Sequence, residues 1–255
     1  MPHEPETLVR GIDSELLAMI QREGYLHVIL AALATYDGGQ TFEHCWRVAR
    51  GVGYISNLVG WPDVARGITL RAAVLHDGGK LLVPRPIVTK PTRLDRDEWI
   101  EMRRHVRIGF EVLRAVDPAA AVVLVAHHEC AVQQPDATEA NYPRADERRN
   151  ARERRLVARL HILERRRHER RSLDPGWVPL QMAVAIADHV DALASARWYK
   201  PPMATANVRK ILHERFPLLI GVADALIDIR DAIDAPVPPL PIRNGDPVPP
   251  PLSAT

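Results

Sequence analysis

The sequence predicts an all-α protein, and three observations lead to that fold class. Segments between glycine, proline and aspartate breaks are rich in Ala, Leu, Val, Ile and Arg, which are mostly good helix formers. Their apolar residues recur at spacings of three and four, the period of an amphipathic helix. Strand-like alternation does not persist, and no internal repeat is evident. We therefore expect a single bundle of helices.

The N-terminal part of the chain is predicted to form three helices. Asp13 is a suitable N-cap for a first helix over residues 14–33, and a glycine-containing loop follows it. The second helix carries His44 and apolar residues at helical spacing. The third opens at residues 61–63 and ends close to His76.

Glycine and proline interrupt the chain after this third helix. Gly78-Gly79 should stop the helix, and the three prolines of residues 84–94 predict an extended loop. Asp95 or Asp97 can cap the next helix, which runs towards Leu113.

The remaining predicted helices are separated by polar or proline-containing breaks. A short apolar helix follows Asp117-Pro118 and ends at the paired histidines, of which His127 is the first. Pro179 opens a long apolar helix, and two more lie near residues 207–215 and 217–233.

The chain divides into a core domain and two flanking segments. Residues 1–37 are read as an N-terminal helical segment and residues 38–235 as the main domain, with an Arg-rich insert at 144–171. Proline density in residues 236–255 is incompatible with a packed helix and predicts a disordered tail.

Composition bounds the class of protein. The net charge of +2 is too small to indicate nucleic-acid binding by itself, and no apolar run approaches the roughly 18 residues of a membrane span. The N-terminus lacks the basic and apolar segments of a secretory signal. Two cysteines, Cys45 and Cys130, cannot form a disulfide framework, so we expect a cytoplasmic protein.

Candidate metal ligands recur along the chain. His76 and Asp77 follow an apolar run and offer one nitrogen and one oxygen ligand side by side. Asp188 interrupts an apolar helix face, where an unpaired carboxylate needs a cation or several donors. The other candidates are His44, His105, His127 and His128. Each has an alternative reading when taken alone: a salt bridge or cap for Asp188, and an ordinary core or surface imidazole for each histidine.

Taken together, these residues resemble the HD-domain metal-dependent phosphohydrolases and, within them, the HD-GYP branch. HDGGK is similar to the branch motif HD-x-G-K, and residues 90–113 are similar to its connecting segment. HHE at 127–129 and IADHVDALASARWYK at 186–200 follow in the same order. The resemblance covers roughly residues 38–215.

The resemblance implies a binuclear metal site. One metal would be held by His44, His76, Asp77 and Asp188. Asp77 would bridge to a second metal held by His105 and His127, with His128 close by. The residues at family positions for contacts to substrate phosphate are Lys80, Arg197 and Lys200. Asp77 and Lys80 are thus the expected catalytic residues.

The ligand types indicate the metals and the chemistry. Imidazoles with shared carboxylates suit two divalent transition-metal ions, Fe or Mn rather than Zn or Mg. Two metals can bind a phosphate and lower the pKa of a water, so that hydroxide attacks phosphorus in line.

Three departures from the family pattern affect the expected number of metals and the expected substrate. Gln40 occupies the position of a glutamate found in members with a third metal, so we expect two metals. The Gly-Tyr-Pro signature is replaced by Asn141-Tyr142-Pro143. The insert at 144–171 contains twelve arginines and five acidic residues. This composition is typical either of a solvated helix or of a basic arm that binds an anionic substrate, nucleic acid or protein.

These observations predict a phosphodiesterase acting on a cyclic dinucleotide such as cyclic di-GMP. Two alternatives remain at this point. The chain could hydrolyse a nucleotide or another small phosphate ester. It could also be a catalytically degenerate module that senses a nucleotide or docks a partner.

Overall fold

The computed structural model describes residues 4–128, 177–195 and 201–241, without the side chain of Val178, and this part of the chain is all-α. Its helices are α1 (Pro5–Arg22), α2 (Gly24–Tyr36), α3 (Gln40–Val59), α4 (Asp63–Leu75), α5 (Arg85–Val88), α6 (Arg96–Leu113), α7 (Pro118–Leu124), α8 (Trp177–Ala194), α9 (Thr205–Arg215), α10 (Ile220–Asp228) and α11 (Arg230–Ile233). A 3-10 turn spans Gly78–Leu82. No strand occurs over these residues, which confirms the predicted fold class.

Helix α3 lies at the centre of the bundle. It packs against α1, α2, α4 and α8, with its most extensive contacts to α4 and α8. Trp46, Val48 and Val52 are completely buried on α3, so it contributes apolar side chains to several neighbours at once. This central position places His44, one turn from the start of α3, in the interior of the domain.

The N-terminal region differs from the prediction. The first helix begins at Pro5 and does not end near Leu33, because the chain bends by 111° between α1 and α2. Asp13 is not an N-cap: its carboxylate accepts hydrogen bonds from Arg50 and Trp46, each at 2.8 Å. Over the described residues, no single helix has the length and apolar character to cross a membrane, and α1 with α2 meets that test only as a bent pair.

The predicted caps in the middle of the chain are largely confirmed. Asp95 caps α6 in a capping box, in which Glu98 binds back to the Asp95 backbone N–H at 2.8 Å. The proline-rich stretch over 84–94 was wrongly predicted as wholly extended, since it contains α5. A proline in the first turn of a helix costs no backbone hydrogen bond, so Pro86 is compatible with that turn.

The C-terminal region holds two further differences. The helix predicted over 217–233 is divided into α10 and α11. Residues 236–241, predicted as part of a disordered tail, form no helix but are anchored to the bundle: Arg50 donates to Pro236 O at 3.0 Å, and a His27 ring nitrogen lies 3.0 Å from Pro241 O. The rest of that tail, 242–255, lies outside the described residues.

Candidate metal centre

Seven of the predicted site residues converge on one place in the interior. Their positions are His44 on α3, His76 and Asp77 directly after α4, His105 on α6, His127 and His128 in the turn that follows α7, and Asp188 on α8. Six of the seven are buried, and only His128 is partly exposed. Elements far apart in the sequence therefore bring imidazoles and carboxylates to one point.

One part of the site is rich in carboxylate. This carboxylate-rich group consists of His44, His76, Asp188 and the Oδ2 side of Asp77. His44 Nε2 lies 3.1 Å from Asp188 Oδ1, 3.5 Å from Asp77 Oδ2 and 3.2 Å from His76 Nε2. Their mutual distances are short enough for three of the ligand atoms, from His44, His76 and Asp77, to reach a single cation.

The other part, the imidazole-rich group, consists of His105, His127 and His128. Their ligand nitrogens lie within 4.8 Å of one another. Asp77 connects the two groups, because its Oδ1 is 3.1 Å from His105 Nε2 while its Oδ2 faces His44. His127 also lies between them, with its ring centroid 5.0 Å from that of His76 and 4.1 Å from that of His128.

Hydrogen bonds orient three of the histidine rings through their own helices. The Nδ1 atoms of His76, His105 and His127 lie 2.8, 2.6 and 2.5 Å from the carbonyl oxygens three residues earlier. A carbonyl only accepts, so each Nδ1 carries the proton and donates it, a tautomer inferred from this hydrogen-bond network. Each Nε2 then presents a lone pair to the centre of the site.

Two of these Nε2 atoms indicate whether the residues fit a cation. The Nε2 atoms of His105 and His127 are buried and have no hydrogen-bond partner within the described part of the chain. His105 Nε2 faces Asp77 Oδ1, which is likewise an acceptor. A divalent cation would bind both His105 Nε2 and Asp77 Oδ1. These atoms therefore fit a metal site better than they fit a hydrogen-bonded polar core.

The electrostatic environment keeps the ligands in their metal-binding protonation states. Burial lowers the pKa of His127 to about 3 and also lowers that of His76. Burial opposes ionisation of Asp77, but the Lys80 ammonium together with His76 and His105 outweighs it and holds the pKa of Asp77 well below its usual range. Burial also opposes ionisation of Asp188, but His44, His76 and His128 together hold its pKa well below the usual range. At neutral pH the site thus presents neutral imidazoles at His76 and His127 beside the charged carboxylates of Asp77 and Asp188.

A close approach between backbones brings Asp77 to His105. A Cβ added to Gly79 would lie 2.0 Å from His105 O and 2.7 Å from Gly109 N, so only glycine allows the 3-10 turn to lie this near α6. Gly78 is different, since its Cβ would meet only Ile29, at 3.4 Å. The second glycine of HDGGK therefore has a structural reason.

The predicted substrate contacts are only partly described. Lys80 donates to the carboxylate of Asp77, so in this structure it contacts a candidate ligand. Arg197, Lys200, Asn141-Tyr142-Pro143 and the insert at 144–171 lie outside the described residues, as does Glu129. Gln40 is exposed at the start of α3.

Sequence reasoning missed the function of one acid near the site. Asp191 is buried one turn after Asp188, and its Oδ2 lies 2.6 Å from His44 Nδ1. The spacing of the two acids on one helix face was visible in the sequence. Their different partners were not, because those partners come from α3.

Comparison with known proteins places the chain in a family. The family described as "HD domain" matches residues 41–193, which is more than half of the sequence. The chain belongs to the HD-domain family. HD-domain phosphohydrolases use divalent metals, in agreement with the donor set described above.

Curated relatives extend the comparison. The chain is 31% identical over 198 residues to the cyclic di-GMP phosphodiesterase response regulator RpfG of Xanthomonas campestris, covering 74% of this chain and 44% of the relative. It is 28% identical to a 3'3'-cGAMP-specific phosphodiesterase of Vibrio cholerae, over 68% and 28% of the two chains. It is 30% identical to a cyclic di-GMP phosphodiesterase of Thermotoga maritima, over 68% and 40%. The chain thus matches less than half the length of each.

Proposed function

We propose that this HD-domain protein is a metal-dependent phosphohydrolase with a binuclear site, and that it acts as a phosphodiesterase on a cyclic dinucleotide such as cyclic di-GMP. The observation that carries the proposal is the position of Asp77, whose two oxygens face two different groups of histidines. A carboxylate can bridge two cations, and the orphaned Nε2 atoms of His105 and His127 supply ligands for the second.

The named relatives support the substrate class. All three are named as phosphodiesterases of cyclic di-GMP or 3'3'-cGAMP. Because the match covers only part of each relative, we propose phosphodiesterase activity for this chain on their example. The HD-GYP-like assignment and a cytoplasmic location belong to the same proposal.

In this proposal the residues of the chain have distinct roles. Two divalent ions, Fe or Mn by the imidazole-rich donor set, would polarise a phosphate ester and acidify a water for in-line attack. Asp77 holds both ligand groups at a common point. Lys80 places an ammonium beside Asp77, where it offsets negative charge and can attract a phosphate oxygen. His128, which is partly exposed, lies at the edge of the site.

Metal content is the first test. We expect close to two transition metals per chain after purification and reconstitution with Fe(II) or Mn(II) under anaerobic conditions, measured by mass spectrometry. Fewer than about one metal per chain, however the protein is reconstituted, would reject the enzyme hypothesis.

A substrate panel is the second test. Metal-loaded protein is incubated with cyclic di-GMP, 3'3'-cGAMP, a generic chromogenic phosphodiester and mononucleotides. Chromatography then resolves the linear products. We expect cleavage of a cyclic dinucleotide. Turnover of the generic ester or of mononucleotides alone would reject the cyclic dinucleotide while retaining the hydrolase.

A further inference from the structure

His44 differs from the other buried histidines of the site in what orients it. His76, His105 and His127 each bind a carbonyl of their own helix through Nδ1. His44 Nδ1 instead meets Asp191 Oδ2 at 2.6 Å, a side chain 147 positions away on α8. The Nδ1 side of the His44 ring therefore faces an acidic side chain, which substitution can remove.

Donors occupy both oxygens of Asp191. Oδ1 accepts from Arg47 Nε at 2.6 Å and from Ser195 Oγ at 2.7 Å. Oδ2 accepts from His44 Nδ1 and from Arg47 Nη2, the latter at 3.2 Å. With four donors on a side chain that is 4% exposed, the carboxylate is fixed in one orientation.

The two buried acids of α8 consequently face opposite chemistry. Asp188 Oδ1 lies 3.1 Å from His44 Nε2 and 3.8 Å from His76 Nε2, which are the ring atoms that carry lone pairs. Asp191 lies on the N–H side of the same His44 ring. One imidazole thus separates an acid directed at the metal position from an acid directed away from it.

Arg47 ties this arrangement to the scaffold. It lies three residues after His44 on α3, so both residues hold the same carboxylate from one helix. Its Nε is 3.9 Å from Asp234 Oδ1 next to α11, and its Nη1 is 3.7 Å from Glu43 on α3. The planar guanidinium binds Asp191 through two nitrogens, which sets direction as well as charge.

We propose that Asp191, held by Arg47 and Ser195, is a positioning residue that fixes the Nδ1–H tautomer of His44 and strengthens metal binding through His44 Nε2. The inference rests on the proposed metal-dependent function. A carboxylate on the distal nitrogen of a ligating imidazole raises the basicity of the nitrogen that binds the metal. The competing explanation is that Asp191 only ties α8 to α3, in which case its loss would affect stability alone.

The protein contains a matched control for the test. On the surface, Asp224 Oδ1 accepts from Arg209 Nη1 at 2.5 Å and lies 2.9 Å from His213 Nε2, so it joins the same three residue types. Asp224 belongs to none of the candidate metal clusters of the described residues. Asp224→Asn removes the same kind of charge without reaching the site.

Metal affinity is measured by titrating Mn(II) into apo protein calorimetrically. We expect Asp191→Asn to weaken metal binding at the carboxylate-rich group, which contains His44, by about 10- to 100-fold, the usual cost of losing such a partner. Arg47→Lys, which keeps the charge but not the fork, should give a smaller loss, and Asp224→Asn should match wild type. Affinity within twofold of wild type in Asp191→Asn would overturn the proposal.

The tautomer is measured independently by 15N NMR of the histidine rings in the apo protein, with the His44 signals assigned through their loss in His44→Gln. We expect the Nδ1–H form in wild type and a mixture in Asp191→Asn and Asp191→Ala. An unchanged tautomer combined with a lowered melting temperature would identify a structural tie only. Wild-type protein that binds no metal would contradict the proposed function, and the NMR result would still decide the role of Asp191.

Discussion

The two ligand groups of the site differ in charge and in support. The carboxylate-rich group draws on two buried acids and sits on long helices of the core, α3 and α8. The imidazole-rich group has three histidines and contacts the carboxylate of Asp77. Two of its members, His127 and His128, lie in the turn that follows the short helix α7. An extra carboxylate is worth on the order of a few kcal/mol towards a cation at an effective dielectric constant of about 20. If the site binds the two proposed metals, we therefore expect them to bind with unequal affinity, the tighter one in the carboxylate-rich group.

The comparison breaks completely if the shared residue is removed. Asp77→Ala should abolish binding of both metals and lower turnover by at least about 10³-fold, since metals supply several kcal/mol of transition-state stabilisation. Metal analysis and turnover assays check the loss, and circular dichroism checks that the helices are retained. Wild-type activity in this variant would contradict the bridging role.

Removal of one ligand from the imidazole-rich group should separate the two metals. His105→Ala deletes an Nε2 that lacks a hydrogen-bond partner among the described residues, so we expect one metal per chain to remain and turnover to fall by roughly 100-fold. Calorimetric titration should show the tighter phase alone. His213→Ala, on the surface, serves as the control and should retain both phases. Loss of the tighter phase in His105→Ala would show that the groups are not separable.

The backbone contact that joins the groups can be tested without touching a ligand. Gly79→Ala would force the 3-10 turn away from α6, with a stability cost of about 1–3 kcal/mol and weaker binding of the second metal. Gly78→Ala is the adjacent control, where the added Cβ has room. Chemical denaturation and metal titration measure both effects. Equal behaviour of the two variants would mean that the close approach does not position His105.

His128 should have the smallest effect. Its side chain is partly exposed at the edge of the imidazole-rich group, so His128→Ala should retain both metals and lower turnover by less than about 10-fold. Metal content and steady-state kinetics check this outcome. A loss as large as that of His105→Ala would make His128 an equal ligand.

Much of this architecture was predictable from local patterns. Apolar periodicity predicted α3, α4 and α8, and Asp95 was recognised as a cap because the capping box lies within four consecutive residues. The candidate ligand residues were proposed from their types, order and spacing, and the structure brings them together. The first helix was mispredicted because the break at Glu23-Gly24, where α1 ends and α2 begins, was not recognised; both helices pack against α3.

The residues alone predicted the all-α class and identified the His and Asp side chains that meet in the interior. Only the folded structure distinguishes Asp188 from Asp191, supplies the contacts from which the tautomers of four site histidines are inferred, and explains why Gly79 cannot carry a side chain. Helix periodicity and caps are set by neighbours within a few positions. The hydrogen bonds of His44 and the approach of Gly79 to α6 depend on elements brought together by packing, and the chain order does not encode these contacts locally.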